Sequence, residues 1–155
     1  MELEYLAENT EAIPTLANWY FSEWGHIEKG NTLDKVTEKL HDYSQIDAIP
    51  LIILAIDEGE ILGAAQLKYR EMEIYPEREH WLGGVYVSEK HRGNNIAKKI
   101  ILRVISDAKK LGVKTLYLQT DNKSGGLYLH LGWNPLEQVN YKGVDVLVME
   151  NKICV

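Results

Sequence analysis

The stretch WLGGVYVSEKHRGNNIAKKIILRVISDAKKLG, residues 81–112, decides how this chain folds. Its first seven residues, Trp81 to Val87, are apolar without alternation, the pattern of a strand covered on both faces at the centre of a sheet. Gly83 and Gly84 would weaken an ordinary strand, so they mark a bulge or a point where another chain or a ligand approaches the backbone. From Ile96 onward, Ala97, Ile100, Ile101, Val104, Ile105, Ala108 and Leu111 fall on one face of a helix that starts near Asn94, and Gly112 ends it. His91, Arg92, Gly93, Asn94 and Asn95 lie between strand and helix. A glycine-containing turn there offers free N–H groups and the positive end of a helix dipole to an anion, and Arg92 adds a charged fork. Taken alone, the same residues also fit a plain capping turn. Neither G-x-x-x-x-G-K-[ST] nor G-x-G-x-x-G is matched, which removes the main support for nucleotide-triphosphate and dinucleotide binding.

Working outward, Val113 to Leu118 reads as a strand, Lys123 to Leu131 as a short helix ended by Gly132, and the tail as two strands around Val139 and Val144 to Met149. Upstream, Leu51 to Ile56 and Ile61 to Tyr69 flank the turn residues Asp57, Glu58 and Gly59, which predicts a hairpin. The polar stretch Arg70 to Glu79 connects it to the central strand. Two helices come before the hairpin. Asn9 or Thr10 caps one that carries Ile13, Leu16, Ala17, Tyr20 and Trp24; Asn31 or Thr32 caps another that carries Leu33, Val36, Leu40 and Tyr43. Leu3 to Leu6 predicts a short strand at the start. A doubly wound regulatory domain would need strands and helices in strict alternation, and the paired helices and the hairpin argue against it.

The chain has 155 residues, 45% of them hydrophobic, which suits one domain spanning 1–155 around one core. A formal net charge of -6 argues against nucleic-acid binding, whose affinity comes from Lys and Arg neutralising phosphates. The one cysteine, Cys154, predicts no disulfide within the chain and a reducing compartment. The opening MELEYLAENT has neither the basic start nor the apolar core of a targeting segment, and no apolar run reaches the ~18 residues of a membrane span. The expectation is a soluble cytoplasmic protein with no membrane partner.

Arg92, Gly93, Asn94, Asn95, Ile96 and Ala97 resemble the signature of the Gcn5-related N-acetyltransferases: Arg or Gln, two residues, Gly, one residue, Gly or Ala, between an apolar strand and a long helix. Asn95 stands where the family usually has glycine; asparagine is the non-glycine residue that most readily takes positive φ. Downstream, Asn122 follows a strand, and Tyr128 to Trp133 are similar to the family's Tyr-x-x-x-Gly-Phe-like helix end. The likeness covers nearly all of the chain. It implies an α/β (α+β) domain with a mixed central sheet of six or seven strands, split between the fourth and fifth and flanked by helices. It also implies acetyl-CoA as cosubstrate, gripped by Arg92, Gly93, Asn94, Asn95, Ile96, Ala97, Lys98 and Asn122, with its pantetheine arm pairing along Val85, Tyr86 and Val87. The bulge near Gly84 would aim an N–H at the thioester carbonyl as an amine attacks directly in a ternary complex. Tyr128 would contact the cofactor and protonate the departing thiolate.

An attacking ammonium must lose a proton first, and Glu71, Glu73, Glu79 and His80 stand on or beside the central strands; Glu71 and Glu79 are preferred as the base. Trp81 borders the expected acceptor channel. The carboxylates Glu71, Glu73, Glu77 and Glu79 crowd one loop, which points to a primary amine on a small molecule or peptide, such as a polyamine, an aminosugar or a peptide amine. No metal-ligand cluster is present, so no metal is expected. A homodimer is common in such folds. The alternative is a non-catalytic acyl-CoA-binding module of the same fold.

Overall fold

A computed structural model describes residues 1–153, and Cys154 lies outside the described residues. Seven strands form one sheet: β1 (Glu2–Tyr5), β2 (Leu51–Asp57), β3 (Glu60–Tyr69), β4 (His80–Val87), β5 (Thr115–Thr120), β6 (Asn134–Tyr141) and β7 (Val144–Lys152). Their order across the sheet is β1-β2-β3-β4-β5-β7-β6. Every neighbouring pair is antiparallel except β4 and β5, which run parallel. The fold is therefore α/β (α+β), with a mixed sheet that changes direction between its fourth and fifth strands.

Side-chain alternation along the central strands divides the core. Ile52, Leu54 and Ala64 face α1 (Ile13–Trp24) and α2 (Leu33–Leu40), where Leu6, Ile13, Leu16 and Tyr20 are buried. Ile53, Ala55, Ala65 and Leu67 face the opposite way onto α3 (Ile96–Lys110), whose Ile100, Ile101, Val104 and Ala108 are fully buried. Burying one such aliphatic side chain contributes about 1.5–3 kcal/mol, so the α3 stripe is a main anchor of this face. α2 starts where Thr32 Oγ1 accepts the Lys35 N–H at 3.1 Å, as its sequence predicts.

The differences from expectation are local. β5 starts at Thr115, two residues late, because the Val113 N–H returns to the Ala108 carbonyl and closes the helix end first. α4 is confined to Gly126–His130, since Asn122 Oδ1 accepts from Ser124 and holds the preceding residues in a turn. α3 begins at Ile96, after Asn95 has turned the chain through φ 58. No helix among the described residues is long and apolar enough to cross a membrane.

Candidate active site

Parallel pairing of β4 with β5 occurs at one position, Trp81 with Tyr117. Beyond it the strands part, so the β5-side edge of Gly83 to Val87 meets no neighbouring strand. β4 is irregular along the same stretch: Gln66 of β3 pairs with Gly83 and Ala64 with Tyr86, so Gly84 and Val85 together oppose Ala65. Gly84 takes φ 53, and a Cβ there would lie 2.6 Å from Gln66 Nε2, so the position suits glycine alone. Tyr20 Oη of α1 donates to the Gly84 carbonyl at 2.8 Å, which ties the bulge to the helix above it. The bulge foreseen at Gly83 and Gly84 is thus present.

Two cavities open on this parting. One, of about 490 Å³, lies along Val85, Tyr86 and Val87 and the turn Arg92, Gly93, Asn95, Ile96, Ala97 and Lys98. The N–H groups of Gly93 to Lys98 find no acceptor among the described residues, and Lys99 is the first to enter the helix ladder, on Asn95 O at 3.2 Å. Unspent donors at a helix start attract an anion. Arg92 is fixed by its Nε, which donates to Val87 O at 2.9 Å. Asn94 instead turns its Nδ2 to His91 O at 3.1 Å and does not line the cavity. Asn122 likewise serves its own turn.

The second cavity, of about 660 Å³, shares Trp24 and Val85 with the first and runs between α1, α2 and the strand ends. Tyr128 lines it together with Glu71, Gly83, Gly84 and Asp121. Burial, aided by the Glu71 and Asp121 carboxylates, pushes the Tyr128 hydroxyl up to about 12. Its proton therefore stays in place at any ordinary pH. Glu71 is only 15% exposed, accepts from Gln119 Nε2 at 3.2 Å and sits 3.7 Å from Lys68 Nζ.

Glu71 and Glu79 are not brought together. Glu79 lines neither cavity, is 48% exposed, and pairs with Arg70 at 2.9 Å and His80 at 3.2 Å. Glu73 and Glu77 line neither cavity and are 79% and 69% exposed, so the loop carboxylates do not gather at the second cavity. Trp81 does not border it either: the ring is fully buried, its Nε1 donates to Arg78 O at 2.7 Å, and it packs on Tyr117. Sequence reasoning overlooked Tyr20, Gln66, Lys68, Lys39 and Lys142, all of which line the second cavity. A signal existed for two of them. Gln66 and Lys68 continue the inward-facing alternation of Ala64, and polar residues at core-facing positions mark a lined cavity.

The model of the acetyltransferase (GNAT) family matches residues 12–133, which takes in the bulge, the turn, α3 and α4. The chain belongs to this family. GNAT enzymes take their acyl group from acetyl-CoA, and the unspent N–H groups beside an open strand edge are what a diphosphate and an amide-bearing tail require. Among solved structures, an aminoglycoside 6'-N-acetyltransferase complexed with coenzyme A superposes with a TM-score of 0.78, at 16% identity over 100% of this chain and 98% of its own. An aminoglycoside 6'-acetyltransferase type Ii gives 0.76, at 19% identity over 100% of this chain and 99% of its own. The ribosomal-protein-alanine N-acetyltransferase of Brucella melitensis gives 0.74, at 19% identity over 98% and 99%. At such identities the likeness establishes the GNAT fold. No curated protein matches the chain significantly. Among the described residues, no group of His, Cys, Asp and Glu is placed to hold a metal ion.

Proposed function

We propose that this GNAT enzyme acetylates a primary amine by direct attack, donor and acceptor being held together in the two joined cavities. The observation that carries the proposal is the single β4–β5 pairing at Trp81 and Tyr117, which leaves the Gly84 bulge and the N–H groups of Gly93 to Lys98 facing one continuous cleft. Acetyl-CoA supplies an activated acyl carbon there. Gly93, Asn95, Ile96, Ala97 and Lys98 hold the diphosphate through main-chain N–H groups and the helix dipole. The open edge of Val85 to Val87 pairs with the pantetheine amides as an added strand would. An N–H of the Gly84–Val85 bulge polarises the acyl oxygen, at a place where a fixed dipole acts with little reorganisation.

Glu71 takes the proton from the acceptor ammonium, directly or through one water, because it is the recessed carboxylate beside the bulge. Tyr128 keeps its proton and presents it to the leaving sulfur. Glu79, occupied with Arg70 and His80, has no part in the proton transfer. Titration calorimetry of the purified chain with CoA, followed by thiol release from acetyl-CoA over a panel of amines, tests the proposal. Binding together with turnover is expected; CoA binding without turnover on any amine supports the acyl-CoA-binding module instead, and no binding at all refutes both.

A further inference from the structure

Two polar side chains lie next to each other on the bulge of β4. A Cβ built on Gly83 would fall 2.5 Å from Glu71 Oε1 and 2.9 Å from Lys68 Cδ, and one built on Gly84 would fall 2.6 Å from Gln66 Nε2 and 2.7 Å from its Cδ. The glycine pair is therefore a floor. The Glu71 carboxylate rests on its first residue and the Gln66 amide on its second, and the two Cα atoms are about 3.8 Å apart. Both groups line the second cavity together with Tyr128. Glu71 is held in place, one oxygen 3.7 Å from Lys68 Nζ and the other accepting from Gln119 Nε2 at 3.2 Å. Gln66 is only 9% exposed, and half of its amide is occupied. Nε2 is the end that packs on Gly84, beside the Tyr20 hydroxyl; burial raises the pKa of that hydroxyl, and Gln66, as a donor to it, opposes. Tyr20 gives its own hydrogen to the Gly84 carbonyl at 2.8 Å. Oε1 of Gln66 accepts no hydrogen bond among the described residues and is not sealed in, so it opens on the cavity. A nine-tenths-buried acceptor that faces a cavity calls for a donor from whatever enters it.

We infer that Gln66 is the residue that makes this site select primary amines: its Oε1 accepts the one N–H that the nitrogen keeps, while Glu71 beside it takes one of those that leave. This assignment rests on the N-acetyl transfer proposed above. An alkylammonium acceptor carries three hydrogens on its nitrogen. The first goes to Glu71 and frees the lone pair, which forms the C–N bond of a tetrahedral intermediate. Collapse of that intermediate breaks the C–S bond, and the second hydrogen, lost as the nitrogen becomes an amide, replaces the proton that Tyr128 gives to the sulfur. The third stays in the product. A secondary amine lacks only that third hydrogen, and its extra alkyl group would press on Oε1 and leave it unpaired. The selecting group is a neutral amide, so the choice does not depend on charge elsewhere in the substrate.

The test compares n-alkylamines with their N-methyl derivatives over a range of chain lengths, with thiol release measured at saturating acetyl-CoA. In the parent, each primary amine should exceed its N-methyl partner in kcat/KM by about tenfold or more, the worth of one hydrogen bond. Gln66→Met keeps the length of the side chain and removes the acceptor oxygen. Primary amines should then lose about tenfold in kcat/KM and N-methylamines little, so the ratio falls by the same factor. Gln66→Leu, shorter and equally without an acceptor, should show the same fall. CoA affinity by calorimetry should be unchanged in both, which also shows that they fold. A Gln66 that merely packs the bulge would lower both rates alike and leave the ratio where it was. N-Methylamines matching primary amines in the parent, or a ratio unmoved in both variants while CoA still binds, overturns this assignment and leaves the proposed function standing. No thiol release from any amine by protein that binds CoA overturns the proposed function and this assignment with it.

Discussion

At the scale of single residues, Tyr128 and Asn95 carry separable expectations. Tyr128→Phe removes the hydroxyl and keeps the ring that packs edge-on against Trp133 at 6.2 Å, so the fold and the affinity for CoA should hold. Turnover should fall by about ten- to a hundredfold, the low end of what a positioned acid contributes; an unchanged kcat removes Tyr128 from the mechanism. The raised hydroxyl also has a pH consequence of definite sign. Folding favours the protonated form, so this contribution to stability is complete below the ordinary value of 10.0 and is lost as pH rises toward about 12. The Tyr128→Phe variant should therefore lose less stability between those limits than the parent, measured by denaturant unfolding. Asn95 sits at φ 58 with no side-chain hydrogen bond to the helix it precedes, so its backbone conformation is its whole contribution to the turn. Asn95→Gly should keep CoA affinity and stability within about 0.5 kcal/mol, whereas Asn95→Val should cost about 1–2 kcal/mol and weaken CoA binding. Equal melting temperatures for the two variants would show that the left-handed turn matters little.

At the scale of elements, the bulge in β4 is held from the α1 side, by the Tyr20 hydroxyl on the Gly84 carbonyl and by the Gln66 side chain packed against Gly84. Gly84→Ala adds a methyl at 2.6 Å from Gln66 Nε2 in left-handed backbone, so about 1–3 kcal/mol of stability should be lost, with turnover reduced by more than the loss of folded protein explains. Tyr20→Phe should cost about 1 kcal/mol by removing the part-buried hydrogen bond to the Gly84 carbonyl. Its effect on rate should lie between those of the parent and Gly84→Ala, as steady-state kinetics at saturating CoA would show. These elements were legible in the sequence to differing degrees. The stripe from Ile96 to Leu111 and the apolar run from Trp81 to Val87 are strong because burial on one face, or on two, leaves a period that local propensity cannot imitate. α4 was overextended because the Asx turn at Asn122, which delays it, is made by one side chain and leaves no periodic trace.

For the whole molecule, what the sequence withheld is the meeting of distant segments. The turn at Arg92 to Ala97 is contiguous and could be read directly. The second cavity is assembled from α1, α2, the strand ends and the β6–β7 turn, and nothing in the spacing of Tyr20, Lys39, Glu71 and Lys142 brings them to one place. Glu71 and Glu79 differ in a way the sequence does not show for the same reason: two carboxylates eight residues apart in one loop look equivalent until Lys68 and Gln119 are seen to hold one inside while Arg70 and His80 keep the other outside. The sheet itself is left incomplete, since the ladder between the halves β1-β2-β3-β4 and β5-β7-β6 consists of the one pairing of Trp81 with Tyr117. A ligand that lies along β4 and caps α3 binds only the folded chain, so it must raise stability by mass action. At a hundred times its dissociation constant the gain is about 2.7 kcal/mol, or roughly 5–10 °C in Tm for a domain of this size. CoA should produce that shift. Adenosine diphosphate, with the diphosphate but no tail, should produce a smaller one, and Arg92→Ala should reduce both. Should adenosine diphosphate shift Tm as far as CoA does at equal saturation of the nucleotide site, the gap between β4 and β5 is not where the tail goes.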